Sequence, residues 1–477
     1  MKIAKIYKNL IIKNNHQISL ITDNSKKIVP NSVFVAIKGY NHNGENYIEE
    51  AINTGALSII TEKEVDDNKY PNINFIKVTD AKKELANLLK LFYYKKLKKF
   101  KFIGITGTNG KTTTCTLLYR YLRSLNLNTI CFTSINNYIN DLVKATINTT
   151  PNIVTIYETI IQSNLKSGYV IIEISSQAIS ELRVLGLDFD VISITNISSD
   201  HLDYHHNLTD YFYTKARLLF QLKKDGCVVL NKDEQHFSKL QSFITNPVYS
   251  FGEKNSCDFR FEIIDLKMND SLFILTNHED IIAFETPLTG KFNVQNITNV
   301  FAILKVLKIS TELFPNFIKS ILPIDGRMNY YEINNRLIII DYAHTVEAVK
   351  TTLKTIKEIS DRNIRLVIGC GGNRDRLKRP IIGQLACLYA NFVYFTEDNS
   401  RNEKLSNILK EITCDLTTNN YMVIESRMKA IKKAVIDSKE NDIIILMGKG
   451  KEETIINNHA LTDLDMIKSC FQELNNE

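Results

Sequence analysis

The stretch Gly104-Ile-Thr-Gly-Thr-Asn-Gly-Lys-Thr-Thr-Thr114 governs how the rest of this chain reads. Phe102, Ile103 and Ile105 predict the end of a buried strand. After Lys111, residues Leu117, Leu118, Tyr121, Leu122 and Leu125 predict one face of an amphipathic helix. A glycine-rich turn between strand and helix aims backbone N–H groups at an anion, and the helix dipole favours negative charge there. Lys111 then supplies a point charge to terminal phosphates, and Thr112 a hydroxyl to Mg²⁺. The strict pattern asks for glycine where Ile105 stands, so Gly104 and Gly107 make this a variant loop. A chance glycine-rich turn is the plain alternative; the length and context of the motif favour nucleotide phosphate binding.

Working outward, 477 residues suggest about three domains of ordinary size. With 44% hydrophobic and 23% charged residues, the chain can bury large cores. The net charge of +6 is spread thinly. The densest basic run, Lys95-Lys-Leu-Lys-Lys-Phe-Lys101, reads as a solvated helix end or linker rather than a nucleic-acid patch. The eight cysteines show neither CxxC pairing nor metal-ligand spacing, which fits reduced thiols in a cytoplasmic protein. No signal peptide is visible behind Met1, and no apolar run approaches the ~20 residues of a membrane helix. A monomer is expected.

In chain order, Val33-Phe-Val-Ala-Ile37 and Leu57-Ser-Ile-Ile-Thr61 predict short strands, with a helix over 46–53 between them and another over 82–94. Asp23-Asn-Ser25 reads as a polar turn. Beyond residue 96 strands and helices alternate, the signature of a mostly parallel sheet. Asn148-Thr-Thr-Pro151 is a turn before a helix over 152–162. Tyr169-Val-Ile-Ile-Glu-Ile-Ser175 is a buried strand whose Glu173 is costly there unless paired or on a metal. His201, His205 and His206 lack the four-ligand pattern of a closed zinc site, and one histidine reaching the nucleotide's metal fits better. Lys215 and Arg217 read as solvent-facing charge, and the asparagines of Gly290-Lys-Phe-Asn-Val-Gln-Asn296 as helix caps. Asp325-Gly-Arg-Met328 breaks the pattern as a hinge. Four later strands, ending at Asp341, Gly369, Thr396 and Met447, each deliver a polar or glycine-rich loop at the carboxyl end, where open α/β sheets bind ligands.

Gly107-Thr-Asn-Gly-Lys-Thr-Thr113, Glu173-Ile-Ser-Ser176, Asp200-His-Leu-Asp-Tyr-His205, Asp341-Tyr-Ala-His-Thr345 and Gly448-Lys-Gly450 together resemble the Mur ligases of peptidoglycan synthesis, in the same order over nearly the whole chain. The resemblance implies an α/β protein of three domains. These are an N-terminal UDP-sugar domain (1–96), a central P-loop-type ATPase domain with a mostly parallel sheet (97–324), and a C-terminal Rossmann-like amino-acid domain (325–477). It also implies a reaction. ATP activates the D-glutamate side chain of a UDP-N-acetylmuramoyl dipeptide as an acyl phosphate, which the amine of an incoming amino acid attacks. Catalysis is then mostly positioning and charge neutralisation.

Carried over position by position, Gly107, Thr108, Asn109, Gly110, Lys111, Thr112 and Thr113 would cradle the ATP phosphates, and Asn293 and Asn296 would line the nucleotide site. Arg327 would touch phosphate and Asp341 ribose. Thr112, Glu173 and His201 would bind Mg²⁺, and Lys215 falls on the family's lysine carbamylated by CO₂, which replaces the solvent-facing reading with a metal ligand. Lys111, Lys215, Glu173, His201 and Arg327 would be catalytic. For the UDP-sugar dipeptide the matches are Asp23, Ser25, Tyr40, Asn41 and His42, then Asn148, Thr149, Thr150, Ser175, Glu181 and Arg183. Gln177 stands for a usual histidine, Glu181 for a usual glutamine, and Asn24 and Lys26 flank Ser25 in place of aspartate and arginine.

Arg374, Asp398, Asn399, Ser400, Arg401, Gly448 and Glu452 match the branch that takes meso-diaminopimelate. Its loop arginine, here Arg401, pairs with the far carboxylate; lysine-adding relatives lack it. Ser400 replaces the usual proline and Lys451 the usual histidine. Alternatives are a lysine-adding or other Mur ligase, a folylpolyglutamate-type ligase and, from a different class, a P-loop switch or motor. No concentrated basic face supports a nucleic-acid partner.

Overall fold

The computed structural model describes residues 1–39, 42–198, 200, 203–456 and 458–476. They form two compact units. The first comprises Met1–Gly104, Leu122–Asp190 and Phe220–Lys223; the second comprises Ile105–Tyr121, Val191–Leu219 and Lys224–Glu477. The strands Phe100–Thr106 and Phe189–Ile194 and the helix Lys111–Ser124 contribute residues to both.

In the first unit, Ile21–Thr22, Ser32–Val35, Ala56–Thr61 and Asn74–Lys77 make a parallel four-stranded sheet in that order. Phe34, Ala36, Ala51, Ala56 and Ile59 are at the heart of its core. The helix Ala81–Leu97 follows, capped by Asp80, whose carboxylate accepts from the Lys83 N–H at 3.0 Å. Its apolar face buries Leu85, Leu88 and Leu89. The basic run behaves as a solvated helix end: Lys98 and Lys99 are exposed, and Lys101 pairs with Asp190 at 2.9 Å. The larger sheet of this unit orders Phe100–Thr106, Gly168–Glu173, Thr129–Phe132, Asn136–Ile139 and Leu142–Ala145. Asn152 caps the helix Ile153–Gln162, accepting from Thr155 N–H at 2.8 Å.

In the second unit, Phe189–Ile194, Leu222–Asn231, Val248–Gly252, Phe259–Lys267, Asp270–Thr276 and Ile281–Thr286 are neighbours in that order. The last two pairings are antiparallel. The helix Lys291–Val306 is buried almost all round, as its run of Val294, Ile297, Val300, Phe301 and Ile303 requires.

The remaining sheet, also in this unit, orders Asn329–Ile333, Arg336–Asp341, Ile443–Met447, Ile364–Ile368, Phe392–Phe395 and Tyr421–Val423. All pairings but the first are parallel. Such strands are apolar on both faces, and the period of two sorts their side chains. Ile339, Leu366, Ile368, Phe395, Ile443 and Ile445 pack towards the helices Val346–Ile359, Lys378–Tyr389 and Leu405–Thr413. Ile338, Ile340, Val367, Tyr394, Ile444 and Leu446 pack towards Arg427–Asp437 and Asp463–Asn476. Helices therefore cover both faces, the doubly wound arrangement expected of a Rossmann-like fold, and the carboxyl ends of the parallel strands share one edge.

Candidate active site

In the second unit the glycine-rich turn closes on itself as the sequence suggests. Lys111 opens the helix and folds its ammonium back onto the Gly107 and Thr108 carbonyls at 3.0 and 2.7 Å. Gly110 has φ +83°, and a Cβ there would lie 2.4 Å from Asn296 Oδ1, so both conformation and space demand glycine. Asn196 Oδ1 accepts from the Asn109 N–H at 2.9 Å, and Thr108 Oγ1 is 3.1 Å from the Tyr211 hydroxyl. These contacts fix the loop's backbone at the mouth of a helix whose first N–H groups have no intrahelical acceptor.

Two expectations fail here. Asn293 and Asn296 do not cap their helix: Gly290 occupies the cap position without a side-chain bond, and both asparagines lie buried inside the first turns. Asn293 Nδ2 donates to the Thr289 carbonyl at 2.8 Å, while Asn296 Oδ1 accepts from the Thr114 hydroxyl at 3.4 Å. Nor does Lys215 face solvent. The helix Leu208–Ala216 turns it inward, 1% exposed, where its Nζ donates to the Gly107 carbonyl at 2.8 Å and lies 4.6 Å from the Tyr211 ring centre. Arg217, two residues on, is exposed as predicted. Burial, then the neighbouring Lys111, holds the Lys215 amine well below the ordinary lysine range, with Asp200 pulling the other way.

Arg327 donates from Nη2 to the Thr112 hydroxyl at 3.1 Å and stacks 4.4 Å over the Tyr342 ring. Thr345 Oγ1 reaches Asn109 Oδ1 at 3.3 Å. The phosphate loop and the first strand-end of the third segment are thus brought together. Asp341 is buried, accepting from Met328 N–H, Tyr342 N–H and the Thr352 hydroxyl at 3.3, 2.9 and 3.0 Å. Burial raises its carboxyl above the usual range against the pull of Arg327.

The strand-end loops assemble the proposed amino-acid residues. Asn399 Nδ2 donates to Glu452 Oε2 at 2.6 Å, and the Tyr342 hydroxyl donates to Glu452 Oε1 at 3.0 Å. Arg401 donates from Nη1 to the Gly372 and Asn399 carbonyls at 2.8 and 3.2 Å, its backbone in the left-handed region at φ +51°. Arg374 lies 3.6 Å from Asp203, and a Cβ on Gly448 would sit 3.1 Å from Asp398 Oδ2. Lys451, exposed, points to Asp325 at 3.5 Å.

In the first unit Glu173 ends its strand buried, accepting from the Ser134 N–H at 2.8 Å. Thr150 Oγ1 donates to the Glu173 carbonyl at 2.7 Å and accepts from Ser175 N–H at 3.1 Å. Arg183 pairs with Glu181 at 2.6 Å and donates to the Thr150 carbonyl at 3.0 Å. Thr150, Ser175, Glu181 and Arg183 therefore form one cluster, with Asn148 exposed and Thr149 half-buried in the same turn. Ser25 is buried on Glu50 at 3.1 Å, and burial raises the neighbouring Asp23 carboxyl. His42 is exposed. Tyr40, Asn41 and His201 lie outside the described residues.

Sequence reasoning passed over Lys378, 3.9 Å from buried Asp200, and Arg379, fully buried on Glu403. One signal was available: Lys378 and Arg379 open a helix, and cations at a helix N-terminus oppose the dipole unless carboxylates hold them.

Three family models match the chain in order: the Mur ligase family catalytic domain over residues 17–93, the Mur ligase middle domain over 105–304, and the Mur ligase glutamate ligase domain over 326–450. A UDP-N-acetylmuramoyl-L-alanyl-D-glutamate–2,6-diaminopimelate ligase from Geobacillus thermodenitrificans is 32% identical over 462 residues, 94% of each chain. Its namesake from Oceanobacillus iheyensis is 33% identical over 463 residues, 94% of this chain and 93% of that protein. A solved structure of an enzyme with this name superposes with a TM-score of 0.72 at 25% identity, covering 100% of this chain and 99% of that one. Likeness of this extent, with the phosphate loop, Lys215 and Arg327 drawn together in one unit, has one meaning: the chain belongs to the Mur ligase family.

Proposed function

We propose that this protein joins meso-diaminopimelate to UDP-N-acetylmuramoyl-L-alanyl-D-glutamate at the expense of ATP, in peptidoglycan precursor synthesis. The observation that carries the substrate choice is the Arg401 loop. Arg401 crosses from its own strand end to the Gly372 carbonyl, with Arg374 one loop away and Glu452 held by Asn399. Two guanidinium groups and a carboxylate suit an amino acid with a carboxylate at each end and an amine to be oriented. Lysine, with no second carboxylate, would leave Arg401 without that partner.

A carboxylate is a poor electrophile. Transfer of the terminal phosphoryl group of ATP to the D-glutamate side chain gives an acyl phosphate and ADP. The diaminopimelate amine then attacks the acyl carbon, loses a proton, and phosphate leaves as the amide forms. Lys111 would turn from its loop carbonyls to the phosphates, and Arg327 would place a cation beside the same loop. Thr112 offers a hydroxyl oxygen suited to Mg²⁺, which when bound would supply charge neutralisation to the phosphates. Lys215 fits carbamylation: only a neutral amine adds CO₂, and burial beside Lys111 favours the neutral form. The cluster of Thr150, Ser175, Glu181 and Arg183 is the proposed seat of the dipeptide.

The test is ATP-dependent coupling, with meso-diaminopimelate, L-lysine and other amino acids offered separately to UDP-N-acetylmuramoyl-L-alanyl-D-glutamate, following product mass and ADP together. Diaminopimelate alone should be joined. Preference for lysine would overturn the substrate assignment, and no coupling at all would turn attention to folate substrates.

A further inference from the structure

Among the largest fully buried side chains described in the second unit is a charged one the reaction does not use, Arg379. Its guanidinium forks onto Glu403, Nη1 to Oε1 and Nη2 to Oε2, both at 2.7 Å. Nη1 also donates to Glu411 at 2.7 Å and Nη2 to the Gly371 carbonyl at 3.1 Å. Glu403 in turn accepts from the Asn373 N–H at 3.1 Å. One ion pair therefore grips two loops at once, the 371–374 loop that carries Arg374 and the 399–403 loop that carries Arg401.

The loops need that grip. They touch directly, Gly372 N–H donating to the Asn399 carbonyl at 2.8 Å and Asn402 N–H to Asn373 Oδ1 at 3.1 Å. A Cβ on Gly372 would lie 1.9 Å from the Ser400 carbonyl, so the two backbones are in contact with no side chain between. Asn373 and Arg401 both hold left-handed backbone, at φ +50° and +51°, a conformation costly for arginine. Ser400, where a proline would stiffen the turn, supplies no rigidity of its own. Such a conformation persists only where its surroundings over-determine it.

We propose that Arg379, acting through Glu403, is a positioning residue that sets the placement of Arg374 and Arg401 and with it the selectivity for the far carboxylate of the incoming amino acid. The inference rests on the reading of Arg401 given above. The bidentate geometry matters because a planar fork fixes orientation where a point charge does not. The same pairing holds the Glu403 carboxyl down at about 2, so it is a charged partner throughout the neutral range.

Steady-state kinetics on the whole protein test this with Arg379→Lys, which keeps the charge and loses the fork, and Glu403→Gln, which keeps the shape and loses the charge. In both, KM for diaminopimelate should rise about tenfold or more, while KM for ATP and for the UDP-dipeptide stays within about twofold. The ratio of kcat/KM for diaminopimelate over lysine should fall by about tenfold. If one variant does not fold by thermal melting, the other carries the test. A uniform loss of kcat with unchanged KM values, or an unchanged ratio, overturns the proposal. Arg401→Ala separates the two readings. If it leaves the ratio intact, the reading of Arg401 falls; if it collapses the ratio while the Arg379 and Glu403 variants keep it, only the present inference falls.

Discussion

The Lys215 Nζ lies 2.8 Å from the Gly107 carbonyl, against the face of Tyr211 and beside Lys111. Among the described residues it makes no ion pair. Burial and the neighbouring Lys111 disfavour its charged form, with Asp200 pulling the other way, and only the neutral amine can add CO₂.

Lys215→Arg, which cannot add CO₂, should therefore lose ligase turnover by at least about a hundredfold while remaining folded. In CO₂-depleted buffer the unaltered protein should slow, and bicarbonate should restore it. Turnover that ignores bicarbonate would remove the carbamate from the account.

Arg401→Ala should abolish the preference for diaminopimelate over lysine, at a cost of about 1.5–3 kcal/mol in discrimination, since hydrogen bonds to a charged group are of that size. KM for the UDP-dipeptide should be unmoved. Paired initial rates with the two amino acids give the result directly.

What was legible in the sequence was local. The phosphate loop announced itself because its glycines, Lys111 and Thr112 act through neighbours within a few residues. The polar strand ends at Asp341, Gly369, Thr396 and Met447 were legible because parallel strands must end at the ligand edge. Lys215 and Arg217 illustrate the opposite case. Two residues apart on one helix, they read alike as surface charge, yet one is buried and the other exposed, and only the tertiary partners of the helix decide which. Asn293 and Asn296 read as caps because asparagine favours caps. Their burial within the helix, where Asn296 fills the space left by Gly110, depends on a contact spanning nearly two hundred residues. Arg379 was hidden for the same reason: Glu403 and Glu411, which make its burial tolerable, lie on a later loop and helix.

Acid should reveal the Arg379–Glu403 pair. Glu403 titrates at about 2 in the folded protein against 4.5 unfolded, chiefly because Arg379 donates to it. The folded state binds that proton less readily, so the stabilisation is complete above the unfolded value and is lost as pH falls towards the folded one. The stability difference between the unaltered protein and Glu403→Gln should thus be full from about pH 6 upward and shrink steadily below about pH 4.5. Urea midpoints across that range measure it. A difference that stays constant would mean the carboxylate's charge contributes nothing.

Among the described residues Arg427 is a second fully buried arginine, held by an equally buried carboxylate. Its Nε and Nη2 pair with Asp463 Oδ1 and Oδ2 at 2.7 and 2.5 Å, with neither side chain exposed, and Nη2 also donates to the Met447 carbonyl at 3.1 Å. The pair joins the start of the last helix to the strand end that carries Gly448. Taking two charges out of water is costly, and their attraction roughly offsets that cost, so the pair adds little net stability; removing one partner leaves the other charge buried alone. Asp463→Asn should accordingly cost about 3–5 kcal/mol, and Arg427→Met a similar amount. Arg427→Met combined with Asp463→Leu should cost much less than the sum, because neither charge then remains. Native-state hydrogen exchange of the Ile443–Met447 amides reports the local free energy without requiring the whole chain to unfold in one step. Strictly additive losses in that double-mutant cycle would show that the two residues act separately, and that Arg427 stabilises the strand end through the Met447 carbonyl alone.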